Sequence, residues 1–167
     1  MRRLRCEPLS PAAFTPFGAV LAPGDKASPA NDGRATRHPQ AGVARGPGLP
    51  PDATLETAIY RIRASALPFQ VETLERHPHS GQLFYPAAGG AYLICVCPAA
   101  ADGRPYSSGA RAFLGRSPAG IVYAPGVWHL PLVAVDADGE FLMVMWSGAG
   151  VTDCVLHRLD EPVVVEA

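Results

Sequence analysis

From Thr54 the chain alternates at period two. Ala58, Tyr60 and Ile62 fall on one side and Ile59, Arg61 and Arg63 on the other, as in a half-buried strand. Further short apolar or alternating runs lie near 69–77, 82–86, 91–97, 110–115, 120–124, 129–135, 140–147 and 153–159, with Gly, Pro or Asp in nearly every gap. Residues 4–9 and 18–21 read as two more strands. Ala137-Asp138-Gly139 predicts a hairpin turn between two apolar strands. Ser10 before Pro11 predicts an N-cap and a first helical position, opening a short helix through Phe14 that Pro16 and Gly18 stop. Many short strands at this spacing, without a clear repeat, predict an all-β sandwich or barrel with one or two short helices.

Residues 22–53 break the pattern. They hold few large apolar residues and many breakers, which predicts a long loop with room for one short strand. Long loops in compact domains are often functional, and this one is expected to cover a pocket. Within it, Asn31-Asp32-Gly33 is a turn signal. Asn31 is a candidate either to cap the pocket or simply to form that turn.

Composition sharpens the class. Gly 17 and Pro 18 make about a fifth of 167 residues, against roughly 12% in average usage, which disfavours long helices. A hydrophobic share of 48% still indicates a folded chain, and the length suits one domain over 1–167. Lys+Arg 14 against Asp+Glu 15 leaves a net charge of −1, so a dedicated nucleic-acid binder is not expected. The opening MRRLRCEPLSP has no apolar core of a secretory signal behind it, and no apolar run is long enough for a membrane helix. Cytoplasmic residence is the expectation by elimination. Of the four cysteines, Cys6, Cys95, Cys97 and Cys154, the middle two share one face of an apolar strand. C-x-C is not a usual zinc spacing, so they read as small buried hydrophobes.

Two clusters can carry chemistry. The first is Leu74-Glu75-Arg76-His77-Pro78-His79-Ser80-Gly81-Gln82. On an unbroken strand Glu75, His77 and His79 would share a face, where a carboxylate and two imidazoles can bind a metal or move protons. Pro78 argues for an edge or a bend instead. The second is Gly120 to Pro131, where a Pro125-Gly126 turn hands over to Trp128 and His129.

Together the clusters resemble the cupin signatures. Glu75-x-His77-x4-Gln82-x6-Gly89 keeps the spacing of the first motif, with Glu75 in place of its first histidine and Gln82 in place of its glutamate. Gly126-x-x-His129 matches the second motif, with Val133 where an Asn is usual. More narrowly, LERHPHSGQLFYP (74–86), GIVYAPGVWHLP (120–131) and FLMVMWSGAGVTDC (141–154) look like the ureidoglycolate lyase family, as do LSPAAFTPFGAVL (9–21), the Asn31-x-Gly33 turn and Arg63 before Leu67-Pro68. His79 departs from that family's usual apolar or small residue, and 39–53 does not map onto its pattern.

The resemblance implies a cupin-like double-stranded β-helix and a homodimer. It also implies a carbon–nitrogen lyase splitting ureidoglycolate into glyoxylate and urea in allantoin and purine catabolism. On this reading His77, His129 and Glu75 supply base and acid, or ligate a metal together with Gln82. Nickel, manganese and zinc are candidate ions, and a metal-free lyase is the other. Arg63 and Arg76 are candidates for the substrate carboxylate, because guanidinium offers a bidentate fork. Tyr123 is a candidate hydrogen-bond donor or a packed aromatic, Trp128 a pocket wall or core residue, and Gln82 a substrate hydrogen-bonder. Asp153-Cys154 reads as a strand-end stabiliser. The alternatives are an amidohydrolase releasing ammonia and CO2, and a cupin module that binds a small molecule without turnover.

Overall fold

The computed structural model describes residues 2–167. Strands in chain order are β1 (Arg2–Pro8), β2 (Gly18–Leu21), β3 (Ser28–Ala30), β4 (Ala35–Arg37), β5 (Thr54–Ile62), β6 (Ala64–Ser65), β7 (Phe69–Arg76) and β8 (Gln82–Ala88). They continue as β9 (Ala91–Cys97), β10 (Arg111–Arg116), β11 (Gly120–Tyr123), β12 (Trp128–His129), β13 (Val133–Val135), β14 (Gly139–Ser147) and β15 (Val155–Glu166). The helices are α1 (Pro11–Phe14), capped by the Ser10 hydroxyl as expected, and one 3-10 turn at Ser107–Gly109. The all-β expectation with one or two short helices holds.

An eight-stranded sheet runs β10-β1-β15-β7-β12-β9-β13-β6, and β10 also pairs antiparallel with β9, with Phe113 opposite Ile94. That extra pairing closes six of its strands into a small barrel. A five-stranded sheet, β2-β11-β8-β14-β5, packs beside it. The wall shared by the two is β9, AYLICVC, and all seven of its residues are buried. Leu93, Cys95 and Cys97 enter a core built from all six barrel strands, whereas Tyr92, Ile94 and Val96 enter the layer facing Phe84, Tyr123, Phe141 and Met143 of the five-stranded sheet. A run without a polar residue fits a strand covered on both faces. Burial of each large side chain is worth about 1.5–3 kcal/mol. It also pushes the Cys95 and Cys97 thiols up to about 12 and about 11, so both are inert at neutral pH. A Cβ at Gly115 would lie 2.2 Å from the Tyr92 ring, so only glycine lets that ring fill the layer.

Three departures from the sequence pattern have local causes. The run 129–135 is two strands, because Leu130 turns its N–H to the Cys95 carbonyl and Pro131 has none to offer. The last strand reaches Glu166 rather than residue 159, with its irregularity between Arg158 and Val163 absorbing Pro162. The 22–53 segment holds a β3–β4 hairpin, so it has two strands rather than one. Its later part, 43–48, lies against the 79–81 corner. Gly46 N–H donates to the His79 carbonyl at 2.7 Å, and Gly81 N–H donates to the Ala44 carbonyl at 2.8 Å.

Candidate active site

Two strands and one bend bring the cluster together. Glu75 near the end of β7 lies directly opposite His129 of β12. The strand stops at Arg76, and the chain bends through Pro78 as expected, so His77 joins Glu75 while His79 does not. The His79 ring faces the Pro47 carbonyl instead. Gly126, at φ +79, makes the turn before β12, a conformation that favours glycine. Its N–H donates to the His77 carbonyl at 2.8 Å, which stitches the two sequence motifs to each other. Gln82 opens β8, with Tyr123 of β11 and Met145 of β14 as its cross-strand neighbours.

Glu75 Oε1 lies 3.4 Å from His129 Nε2 and 3.8 Å from His77 Nε2. The side chains of His129 and His77 are 2% and 8% exposed, and that of Glu75 is 18% exposed, so solvent reaches the cluster from the carboxylate side. Both imidazoles are held by Nδ1. His77 Nδ1–H donates to the Asp153 carbonyl, and His129 Nδ1–H donates to the Val127 carbonyl at 2.9 Å. Each Nε2 is thereby turned toward Glu75. His129 Nε2 also meets Gln82 Oε1 at 3.2 Å, while His77 Nε2 is buried without a hydrogen-bond partner. The Tyr123 ring stacks on His129 at 4.1 Å and 13° between planes, fixing the plane of that imidazole.

The electrostatics follow from this packing. Burial raises the Glu75 pKa, but the closeness and charge of the His129 and His77 rings outweigh it, holding the carboxyl at about 2. Burial works against a charged His77, yet the Glu75 carboxylate and the Asp153 carbonyl raise its pKa above the ordinary value. Burial drives the Tyr123 phenol well above 10, so it stays neutral. The ligand atoms of Glu75, His77 and His129 all lie within 4.8 Å of one another, a carboxylate-and-two-imidazole set able to hold a divalent ion.

Other candidate residues lie elsewhere. Arg76 and Trp128 alternate with Glu75 and His129 and therefore point to the opposite face. There the Arg76 guanidinium lies 4.7 Å over the Trp128 ring, and both side chains donate to the Gly103 carbonyl. Trp128 is a core residue and does not wall this site. Arg63 follows β5 at the Gly139 end of the five-stranded sheet. Gln82 pairs with Met145, six residues along β14 from Gly139, a separation of about 20 Å at strand spacing. Asn31, at φ +51, is exposed at the tip of the β3–β4 hairpin, where it forms the turn. Tyr123 lies between His129 and Phe14 with its hydroxyl buried and unpartnered, so it supports His129 and offers no exposed donor.

Three site contacts were not read from the sequence. The Gln82 amide nitrogen meets the Met145 thioether at 4.0 Å. The Cys154 thiol donates to Glu75 Oε2 at 3.9 Å. The carbonyl of Asp153 holds His77. The Asp153-Cys154 dipeptide was visible beside a strand, but nothing in its spacing tells that the next strand, β15, returns along β7 with Leu156 opposite Glu75.

The comparisons with known proteins agree with these motifs. The family model described as ureidoglycolate lyase matches residues 1–166. A ureidoglycolate lyase of Azotobacter vinelandii is 39% identical over 161 residues, covering 96% of this chain and 95% of that protein. Those of Pseudomonas syringae pv. tomato and Pseudomonas fluorescens are 35% and 37% identical, each over 96% of this chain, covering 92% and 94% of those proteins. Among solved structures, the oxalate decarboxylase–formate complex of Lactobacillus farciminis aligns at 17% identity and TM-score 0.42, over 61% of this chain and 26% of that one. With the family's model spanning nearly every residue and relatives of this likeness, the chain belongs to the ureidoglycolate lyase family.

Proposed function

We propose that this protein cleaves the C–N bond of ureidoglycolate to give glyoxylate and urea, with Glu75, His77 and His129 handling the protons. One observation carries the reading: a single carboxylate oxygen, Glu75 Oε1, faces the Nε2 atoms of both histidines. The substrate carbon bears a carboxylate, a hydroxyl and a ureido nitrogen. His77 Nε2 takes the hydroxyl proton, because its Nδ1 proton is committed to Asp153 and its Nε2 lone pair has no partner. The oxygen pair forms the aldehyde C=O, and the C–N pair leaves on nitrogen. His129 Nε2–H, facing two acceptors in Glu75 and Gln82, protonates the departing urea. A proton moves from oxygen to nitrogen and no water is consumed. General acid and base steps are each worth about 10²–10⁴-fold. The Gln82 amide N–H groups, opposed only by a thioether, a weak acceptor, are available to a substrate oxygen.

The partnerless His77 Nε2 also supports a second version. With both Nδ1 atoms held by carbonyls, the donor set fits a divalent ion, which Glu75, His77 and His129 would hold beside Gln82. Bound nickel, manganese or zinc would polarise the substrate hydroxyl and lower its pKa.

We place the reaction in allantoin breakdown, in the cytoplasm, and read the protein as a homodimer. Among the described residues no helix is long and apolar enough to cross a membrane. Leu55, Ile59, Tyr85 and Leu142 are exposed on the outer side of the five-stranded sheet, and β5 is its unpaired edge. A second copy laid antiparallel on that edge would satisfy its backbone and cover the patch symmetrically. Product analysis tests the chemistry: urea with glyoxylate supports the lyase, and ammonia with CO2 supports hydrolysis.

A further inference from the structure

The segment 148–154 leads into β15, and its last two residues touch two of the three members. The Cys154 thiol meets Glu75, and the Asp153 carbonyl receives the Nδ1 proton of His77. The Asp153 side chain turns the other way. Its Oδ1 accepts the His79 N–H at 2.8 Å, and its Oδ2 is buried with no hydrogen-bond partner. A buried carboxylate oxygen without a partner costs stability, so what this side chain contributes lies in the Oδ1 bond to the bend. The bond it makes closes a small loop of contacts. The carbonyl of residue 153 fixes the ring of residue 77, and the side chain of residue 153 fixes the backbone of residue 79. The bend that aims His77 and the segment that orients it are thus locked to each other.

We propose that Asp153 is a positioning residue for His77: its carboxylate pins the segment so that its own carbonyl holds the Nδ1-protonated tautomer and leaves Nε2 facing Glu75. Asp153 does not touch the reacting atoms. The inference rests on the reading that His77 works through Nε2, as base or as ligand. A residue of this kind orients the group that does the chemistry, and losing one typically costs about 10–100-fold in activity or metal affinity.

The test compares wild type, Asp153→Asn, Asp153→Ala and His77→Ala. It reads the His77 tautomer by ¹⁵N NMR on ring-labelled protein, and kcat and KM with ureidoglycolate. Asp153→Asn keeps an oxygen for the His79 N–H and is expected to keep the tautomer and kcat. Asp153→Ala is expected to mix the tautomers and lower kcat about 10–100-fold, with KM little changed. An unchanged tautomer and kcat in Asp153→Ala overturns the proposal. Full activity in His77→Ala overturns the reading of the site instead, while the tautomer measurement still decides the role of Asp153. Should Asp153→Ala not fold, Asp153→Glu displaces the carboxylate by one methylene. It is expected to give the same loss, and wild-type tautomer and kcat in it overturn the proposal.

Discussion

Glu75 and His129 face each other directly across the β7–β12 pair, with Oε1 of one 3.4 Å from Nε2 of the other. Residues opposite each other on adjacent strands project to the same side of the sheet. The pairing therefore places a carboxylate from the first motif beside an imidazole from the second without any loop having to close. It also turns their neighbours Arg76 and Trp128 to the other side.

The pH dependence of stability reports this pairing, in protein treated with chelator. Glu75 is held at about 2 against an ordinary 4.5, so its contribution is present above 4.5 and is lost as pH falls through about 2. His77 is raised above an ordinary 6.5, so its contribution is present below 6.5 and is lost as pH rises through the raised value. Glu75→Gln is expected to lower the thermal midpoint most between pH 4.5 and 6.5, with the gap from wild type narrowing on either side. A gap that is flat with pH contradicts the pairing.

Tyr123 separates support from chemistry. Its hydroxyl is buried and unpartnered, so Tyr123→Phe is expected to leave kcat near wild type and stability equal or higher. Tyr123→Ala removes the ring stacked on His129 and is expected to cost about 3–5 kcal/mol. Denaturant unfolding and steady-state kinetics measure both. A large kcat loss in Tyr123→Phe makes the phenol a proton donor after all.

Arg76→Ala and Arg63→Ala are expected to leave KM for ureidoglycolate unchanged, because one guanidinium lies over Trp128 and the other at the far end of the five-stranded sheet. Arg76→Ala is expected to cost about 1–2 kcal/mol in stability from lost stacking on Trp128. A tenfold rise in KM, about 1.4 kcal/mol, in either variant would return that arginine to the substrate carboxylate.

Exhaustive chelation separates the two versions of the cluster. Full activity in metal-free enzyme assigns both Nε2 atoms to proton transfer. Activity lost on chelation and restored by one divalent ion assigns them to ligation, and Glu75→Gln is then expected to weaken binding of that ion by titration calorimetry.

The sequence disclosed most of the strands and the members of the cluster because both are written in local terms. Alternation marks β5 and β9, and fixed spacing links Glu75, His77 and Gln82 and separately links Gly126 and His129. What it did not disclose depends on pairing between distant segments. The parallel contacts of β1 with β10 and β15, and the closure of β10 onto β9, leave no trace in any single stretch. For the same reason Asp153 passed for a strand end, since its role exists only once β15 lies along β7. Guanidinium chemistry makes Arg76 a candidate and the sequence leaves Trp128 open between pocket wall and core, whereas strand alternation, with His129 opposite Glu75, turns both to the other face.

The most direct test measures urea, glyoxylate and ammonia released from racemic ureidoglycolate by wild type and by His129→Ala. The expected result is equimolar urea and glyoxylate without ammonia from wild type, with the rate in His129→Ala lower by about 10²-fold or more. Ammonia as the nitrogen product, no turnover by wild type, or an undiminished rate in His129→Ala would contradict it.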